Sequence, residues 1–220
     1  MRSESASSSG STRRAFEWRE RDHGIATGLF FRDPDGHVLE AISYRKRRRP
    51  AAAVTSAVLV HVPVAEPIVG RWRRAHTYDA PLGMPPHVTI LYPFVPREKL
   101  AEAMPRLAKL VAEHEAFDAT FARTARFPGL LYLEPEPAEP FLRLTEAVAA
   151  AWPEHPPYEG AHENLIPHLT VAESEDSSLL DSITPEVEPR LPISHRVGAV
   201  SLFVEGDDGR WREHSRLPLG

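Results

Sequence analysis

The chain has 220 residues, 42% of them hydrophobic, a formal net charge of −5 and no cysteine. The length suits one two-lobed domain, or one domain plus an appendage, with enough apolar residues for a core. Without cysteine there is no disulfide framework, thiolate nucleophile or Cys-based zinc site. The acidic balance argues against strong non-specific nucleic-acid binding and favours a small or terminal substrate. No run approaches the 18 apolar residues of a membrane span. The Ser-rich start lacks the apolar core of a secretory signal, so a cytoplasmic location is expected. Residues 1–14, with Ser7-Ser8-Ser9-Gly10-Ser11, read as a disordered tail.

Residues 15–44 read as a β-hairpin appendage. Phe16 to Arg19, Ile25 to Arg32 and Val38 to Tyr44 are strand-like, and Asp33-Pro34-Asp35-Gly36 forms a turn. The phrase Phe31-Arg32-Asp33-Pro34-Asp35-Gly36-His37-Val38-Leu39-Glu40 resembles the end of a glyoxalase-like (vicinal oxygen chelate) module. In that family the residue matching Glu40 is often a metal ligand. Only about 30 residues of such a module are present, and one carboxylate cannot hold a catalytic metal. The segment reads as a truncated, fused remnant or as the product of a mis-set start site, with no metal site. Arg45-Lys46-Arg47-Arg48-Arg49-Pro50 follows, a basic linker over 45–53 or an RNA-contacting arm.

From residue 54 a rhythm begins. Val54 to Val62 reads as a strand and Ala65 to Ala75 as a helix, with Arg71, Arg73 and Arg74 near its C-terminal end, where cations suit the helix dipole. A Pro/Gly-rich loop, 76–86, leads to a strand at 87–92. Arg97 to Glu113 reads as a helix, with Leu100, Met104, Leu107, Leu110 and Val111 at helical spacing. Phe117 to Phe127 is a strand.

The second half repeats the order. Leu130 to Glu134 is a strand, and Glu139 to Trp152 a helix with Phe141, Leu144, Val148 and Trp152 on one face. A second Pro/Gly-rich loop, 153–166, leads to a strand at 167–172, and a short helix covers Ser177–Ser182. Ile193 to Glu205 and Arg210 to Leu217 read as two closing strands joined by a turn at Gly206-Asp207-Asp208-Gly209. Each half is thus strand, helix, loop, strand, helix, strand, which supports two similar lobes, roughly 54–127 and 128–220.

The two loop-fed strands carry near copies of one phrase: Pro86-His87-Val88-Thr89 and Pro167-His168-Leu169-Thr170. With 11 His, 10 Thr and 22 Pro in the chain, Pro-His-x-Thr is expected by chance about 0.05 times. In a strand, residues i and i+2 share a face. His87 and Thr89 therefore face one way and Val88 and Ile90 the other; His168 and Thr170 oppose Leu169 and Val171. The aliphatic faces suit a core and the His/Thr faces a ligand. Two imidazoles across a cleft can act as general acid and general base. Two hydroxyls can donate to phosphate oxygens. Together these meet the needs of phosphodiester cleavage without a metal.

The stretches Pro86-His87-Val88-Thr89-Ile90-Leu91-Tyr92-Pro93-Phe94 and Pro167-His168-Leu169-Thr170-Val171-Ala172 resemble the two His-x-[Thr/Ser]-x motifs of the 2H phosphoesterases, also called the 2′-5′ RNA ligase-like or cyclic phosphodiesterase superfamily. Trp211 to Leu219 resembles that family's last strand. The likeness covers roughly residues 54–220. It implies an α+β, bilobal fold: two pseudo-symmetric lobes of antiparallel sheet with flanking helices, the motifs facing a central groove. It implies hydrolysis of a cyclic phosphate or of a 2′-5′ linkage in a nucleotide or RNA end, or sealing of such a linkage. His87 and His168 then take the catalytic roles, Thr89 and Thr170 bind phosphate, and no cofactor or metal is needed. Which histidine is the base stays open, as does the oligomeric state. A phosphate- or RNA-end-binding module without turnover is the alternative, and a glyoxalase-like metalloenzyme a more distant one.

Tyr78, Tyr158 and His162 lie on the two loops and are candidates to stack on a base or bond a phosphate. By alternation Tyr92 and Phe94 fall on the core side of the first motif strand. Arg126 is read as a surface residue, and His61, His195 and His214, which lack a Thr partner, as structural.

Overall fold

The computed structural model describes residues 55–156 and 165–220 throughout, and before them the backbone of three strands only: β1 (Trp18–Asp22), β2 (Thr27–Arg32) and β3 (Val38–Ser43). These three make an antiparallel sheet in the order β1-β2-β3. The expected hairpin is therefore a three-stranded meander, because Trp18–Asp22 pairs with Thr27 to Phe31 of β2. The chain divides into two compact units, 1–50 and 51–220.

The larger unit contains β4 (Ser56–His61), α1 (Glu66–His76), β5 (His87–Leu91), α2 (Leu100–Ala112), β6 (Phe117–Phe127), β7 (Leu130–Glu136), α3 (Glu139–Ala151), β8 (Leu169–Glu173), α4 (Ser177–Val187), β9 (Ile193–Val197), β10 (Ala199–Glu205) and β11 (Trp211–Pro218). Local chemistry explains most of them. Ala57-Val58-Leu59-Val60 is a continuous apolar run and is buried on both faces of its sheet. In α2 the buried residues Leu100, Ala103, Leu107 and Val111 recur at helical spacing. In α1, Glu66 and Pro67 open the first turn and Arg73, Arg74 and His76 close the last. Helix α4 runs to Val187, past the expected end at Ser182. Leu180, Ile183 and Val187 continue its buried stripe, and that packing outweighs the backbone hydrogen bond lost at Pro185. No helix among the described residues is long and apolar enough to cross a membrane.

The architecture is α+β, with two four-stranded antiparallel sheets ordered β11-β10-β4-β5 and β8-β7-β6-β9. The sheets interleave rather than following the halves 54–127 and 128–220. Strand β6 joins the second sheet, while β10 and β11 return to the first. The single expected strand Ile193–Glu205 is two strands: Gly198 separates β9, paired with β6, from β10, paired with β4 and β11. The helices cross over as well: α1 packs on β8 and α3 on β5.

The two motif strands are built alike. Val88 and Leu169, one residue after each histidine, are fully buried, as are Ile90 and Val171 two residues further on. Each strand then carries a β-bulge at that third residue. Thr89 and Leu91 face the consecutive residues Leu59 and Val58, while Thr170 and Ala172 face Tyr132 and Leu131. The extra residue reverses the alternation, so Leu91 and Ala172 also enter the main core. This corrects the placing of Tyr92. It falls on the other face of the first sheet, against a small cluster of Ala57, Leu59, Met84, Phe203 and Trp211. Phe94 is in the main core as expected, edge-on to Trp152 with centroids 5.0 Å apart.

Candidate active site

β5 and β8 lie side by side, and the charge of His168 is felt at His87. His87 opens β5 and His168 sits immediately before β8. Both rings are fixed in one manner. His87 Nδ1 lies 2.7 Å from the Pro85 carbonyl oxygen, and His168 Nδ1 lies 2.7 Å from that of Ile166. A carbonyl can only accept, so each Nδ1 carries a proton and donates it. In the neutral ring this leaves Nε2 as the basic nitrogen. Thr89 and Thr170 are half-buried, and among the described residues neither hydroxyl has a hydrogen-bond partner. Both remain able to donate to a ligand oxygen.

Behind His87 is Arg73, on α1 and only 1% exposed. Its Nη1 donates to the Thr170 backbone carbonyl at 2.8 Å; its Nη2 donates to Asp79 Oδ2 at 2.9 Å and to the Pro85 carbonyl at 3.4 Å. The Thr77 hydroxyl donates to Asp79 Oδ1 at 2.7 Å and supports the carboxylate. Burial and the Arg73 guanidinium push the His87 pKa down to about 4, against the opposing pull of Asp79 and the Pro85 carbonyl. Burial acts to raise the Asp79 carboxyl, but Arg73, His87 and the hydrogen bonds from Thr77 and Arg73 outweigh it and hold it below its ordinary value. Glu173, at the end of β8, is raised by loss of solvent and by Asp79. His168 meets two aromatic rings in T-shaped contacts, Phe127 at 5.4 Å and Tyr132 at 5.5 Å between centroids. Phe127 and Tyr132 stack on one another at 4.4 Å.

Of the loop candidates, Tyr78 is 71% exposed and stands next to Asp79. Tyr158 and His162 lie outside the described residues. Arg126 binds Asp181 at 2.9 Å and the Thr184 hydroxyl at 3.0 Å, which ties the second sheet to α4. His61 faces His87 across the β4–β5 pair, and His195 hydrogen-bonds the backbone of His61. His214 is exposed on β11. The Glu40 side chain lies outside the described residues. Among the described residues no cluster of three or more His, Asp or Glu is placed to hold a metal. A cavity of about 510 Å³ between α2 and the β10–β11 hairpin, lined in part by Leu100, Met104, Val204 and Arg212, contains none of the four motif residues.

Arg73 and Asp79 are the polar neighbours that the sequence reading missed. The clue was in α1: Val69 and Arg73 are four residues apart, so Arg73 continues the buried stripe of Ile68 and Val69. A charged residue on an apolar stripe needs a buried partner, and Asp79 is that partner.

Residues 60–209 match the family model described as the 2′-5′ RNA ligase superfamily. No curated protein sequence matches the chain. Among solved structures, TT0787 of Thermus thermophilus is similar, with a TM-score of 0.50 and 21% identity over 74% of this chain and 97% of its own. Escherichia coli LigT complexed with 3′-AMP is also similar, with a TM-score of 0.50 and 16% identity over 76% of this chain and 99% of its own. These likenesses establish the fold of the larger unit. The family match begins beyond residues 15–44, so the glyoxalase-like resemblance of that segment is outside it.

Proposed function

The chain belongs to the 2′-5′ RNA ligase superfamily, and on that footing we propose that it opens a cyclic phosphate or a 2′-5′ phosphodiester of a nucleotide or RNA end. His87 and His168 serve as acid and base, and Thr89 and Thr170 hold the phosphate. The observation that carries this reading is the matched pair of Nδ1–carbonyl hydrogen bonds, which gives both imidazoles a basic Nε2 in the same orientation relative to their strands. Two Thr hydroxyls without a partner among the described residues stand one position along each strand face.

The chemistry follows from those groups. Water attacks phosphorus while one imidazole takes its proton at Nε2. The bond from phosphorus to the leaving ribose oxygen breaks, and that oxygen takes a proton from Nε2 of the other imidazole, which began as the imidazolium. The two hydroxyls donate to the non-bridging oxygens as their charge grows. Protons balance between the two histidines, so no metal is required by this scheme. Sealing a 2′-5′ linkage uses the same groups, with a ribose hydroxyl in place of water. LigT, which shares the fold, was solved with 3′-AMP, and that supports a nucleotide as ligand.

The test is hydrolysis of 2′,3′-cyclic nucleotides in EDTA by wild type, His87→Ala and His168→Ala. We expect EDTA-resistant turnover that falls about 10²–10⁴-fold in each variant. Turnover that survives both substitutions would sink the paired-histidine mechanism. No turnover, with phosphate-ligand binding retained, would make the protein a binding module.

A further inference from the structure

We propose that His61 and Arg216 form a second anion subsite on the first sheet. It takes the neighbouring phosphate of a nucleotide or RNA end whose reacting phosphate lies at His87 and His168. This rests on the reading of those histidines as the phosphate site, and it narrows the substrate class to molecules with two phosphates.

The register of the sheet places the two residues. Side chains directly opposite one another in an antiparallel pair share a face. His61 is opposite His87, and Leu59 is opposite Thr89. Ser201 of β10 is opposite Leu59, and Arg216 of β11 is opposite Ser201. One row across the sheet therefore runs Thr89, Leu59, Ser201, Arg216, and the row beside it starts His87, His61. The alternate residues Val60, Val88, Val200 and Leu217 all enter the main core. His61 and Arg216 thus lie on the face that carries His87 and Thr89. Neighbouring strands are about 4.8 Å apart, so His61 stands one strand spacing from His87. The same register carried one step further sets Ala199 beside His61, and its short side chain leaves that row open.

The charge of Arg216 is felt at His61, so the two groups stand within electrostatic reach. Arg216 is exposed, and among the described residues its guanidinium has no hydrogen bond or ion pair. Arg123, Arg126, Arg196 and Arg212 differ: each holds a carboxylate at 2.6–3.0 Å. The His61 ring is half-buried and likewise makes no side-chain hydrogen bond among the described residues. Two carboxylates are also felt at His61, but both are engaged elsewhere. Glu213 accepts from the Ser201 hydroxyl at 2.7 Å, and Glu66 pairs with Arg74. The guanidinium is a donor fork suited to phosphate, and an imidazole offers an N–H in either protonation state. A ribose holds its 3′ and 5′ oxygens at its two ends. With one phosphate at His87, the other falls one sugar away, over β4 and β10, where His61 and Arg216 can donate to it. No proton or covalent bond changes hands there.

The experiment is calorimetric binding of 3′-AMP, adenosine 3′,5′-bisphosphate and the dinucleotide ApAp to the full chain at one ionic strength. The proteins are wild type, Arg216→Gln, His61→Ala, Glu213→Gln and Arg210→Gln. Wild type should gain about 10–100-fold in affinity from the second phosphate, as charge-assisted hydrogen bonds supply. Arg216→Gln should bring that gain close to one, His61→Ala should reduce it, and Glu213→Gln, which removes a nearby negative charge, should widen it. Arg210→Gln should keep it, because Arg210 is an exposed cation in the turn between β10 and β11. A gain with ApAp identifies an RNA end as the source of the second phosphate; a gain with the bisphosphate alone identifies a free 5′-phosphorylated nucleotide. No gain in wild type from either ligand overturns the proposal. So does a gain that survives Arg216→Gln, or one lost equally in Arg210→Gln. If wild type binds none of the three, the phosphate-site reading falls and the subsite with it. Failure of catalysis alone looks different: the affinity ratios persist while 2′,3′-cyclic nucleotides are not turned over.

Discussion

At His87 and His168 a carbonyl two residues upstream accepts from Nδ1, so the backbone sets the tautomer. The hydroxyls of Thr89 and Thr170 complete the set. If each donates to a charge-bearing phosphate oxygen, Thr89→Val or Thr170→Val should lower kcat about 10²–10³-fold, and Ser at either position should recover most of it. Steady-state rates on a 2′,3′-cyclic nucleotide check this; an unchanged kcat in either Val variant would remove that hydroxyl from the site. The buried network also dictates a pH response. His87 titrates at about 4 in the folded chain against 6.5 for an ordinary histidine. Between those values the unfolded chain holds more protons, and stability rises with pH. Asp79, held below its ordinary value, adds stability above that value and loses it as pH falls. Both effects have the same sign. The urea midpoint should fall as pH drops from about 6.5 to 4, and less steeply in His87→Asn. A flat midpoint in wild type would contradict the burial of this network.

At the scale of elements, the matched bulges decide which side chains reach the core. Because Ile90 and Val171 are each an extra residue, Leu91 and Ala172 turn inward, and His and Thr are presented on a strand that is anchored twice. Leu91→Ala should therefore cost about 2–5 kcal/mol, as for a core residue, in a denaturant titration; a loss no larger than a surface change would mean that Leu91 does not pack inward. The loop before β5 has its own constraint. Gly83 has φ +102°, and a Cβ there would stand 2.8 Å from the Trp211 carbonyl oxygen. Gly83→Ala meets both a strained backbone and a backbone clash. It should lower Tm and, two residues from Pro85, reduce kcat as well; a wild-type Tm would show that the loop can relax.

For the whole molecule, connectivity binds the two lobes. Strands β6, β10 and β11 exchange sheets, and helices α1 and α3 each pack on the motif strand of the other sheet. The lobes share one apolar core, running from Val58 and Val88 to Leu131 and Leu169. They should unfold as one cooperative unit. The family match and this core both lie within residues 51–220. That unit expressed alone should fold and keep the EDTA-resistant turnover of the full chain on mononucleotides. Calorimetry and the same rate assay would show it; loss of turnover in a folded 51–220 fragment would assign residues 1–50 a part in catalysis.

The repeated Pro-His-x-Thr phrase made the two motif strands and their aliphatic anchors legible, because strand alternation is a local rule and Val88, Ile90, Leu169 and Val171 obey it. Helical periodicity likewise located α2 and α3. Alternation failed at Leu91 and Tyr92, since a bulge depends on the partner strand. It failed again at Ile193–Glu205, where one β-rich run divides at Gly198 between two sheets. Arg73 was visible as a helix-terminal cation, but its work was not. The residues it meets, Asp79, Pro85 and Thr170, lie 6, 12 and 97 positions away, and no local pattern joins them. The sequence by itself determined which side chains are candidates for acid–base chemistry and which faces of their strands they occupy, because both follow from residue type and a period of two. Only the tertiary structure decided that a buried charge reaches both motifs, because Arg73 meets Thr170 and Pro85 only where α1 crosses to the other sheet.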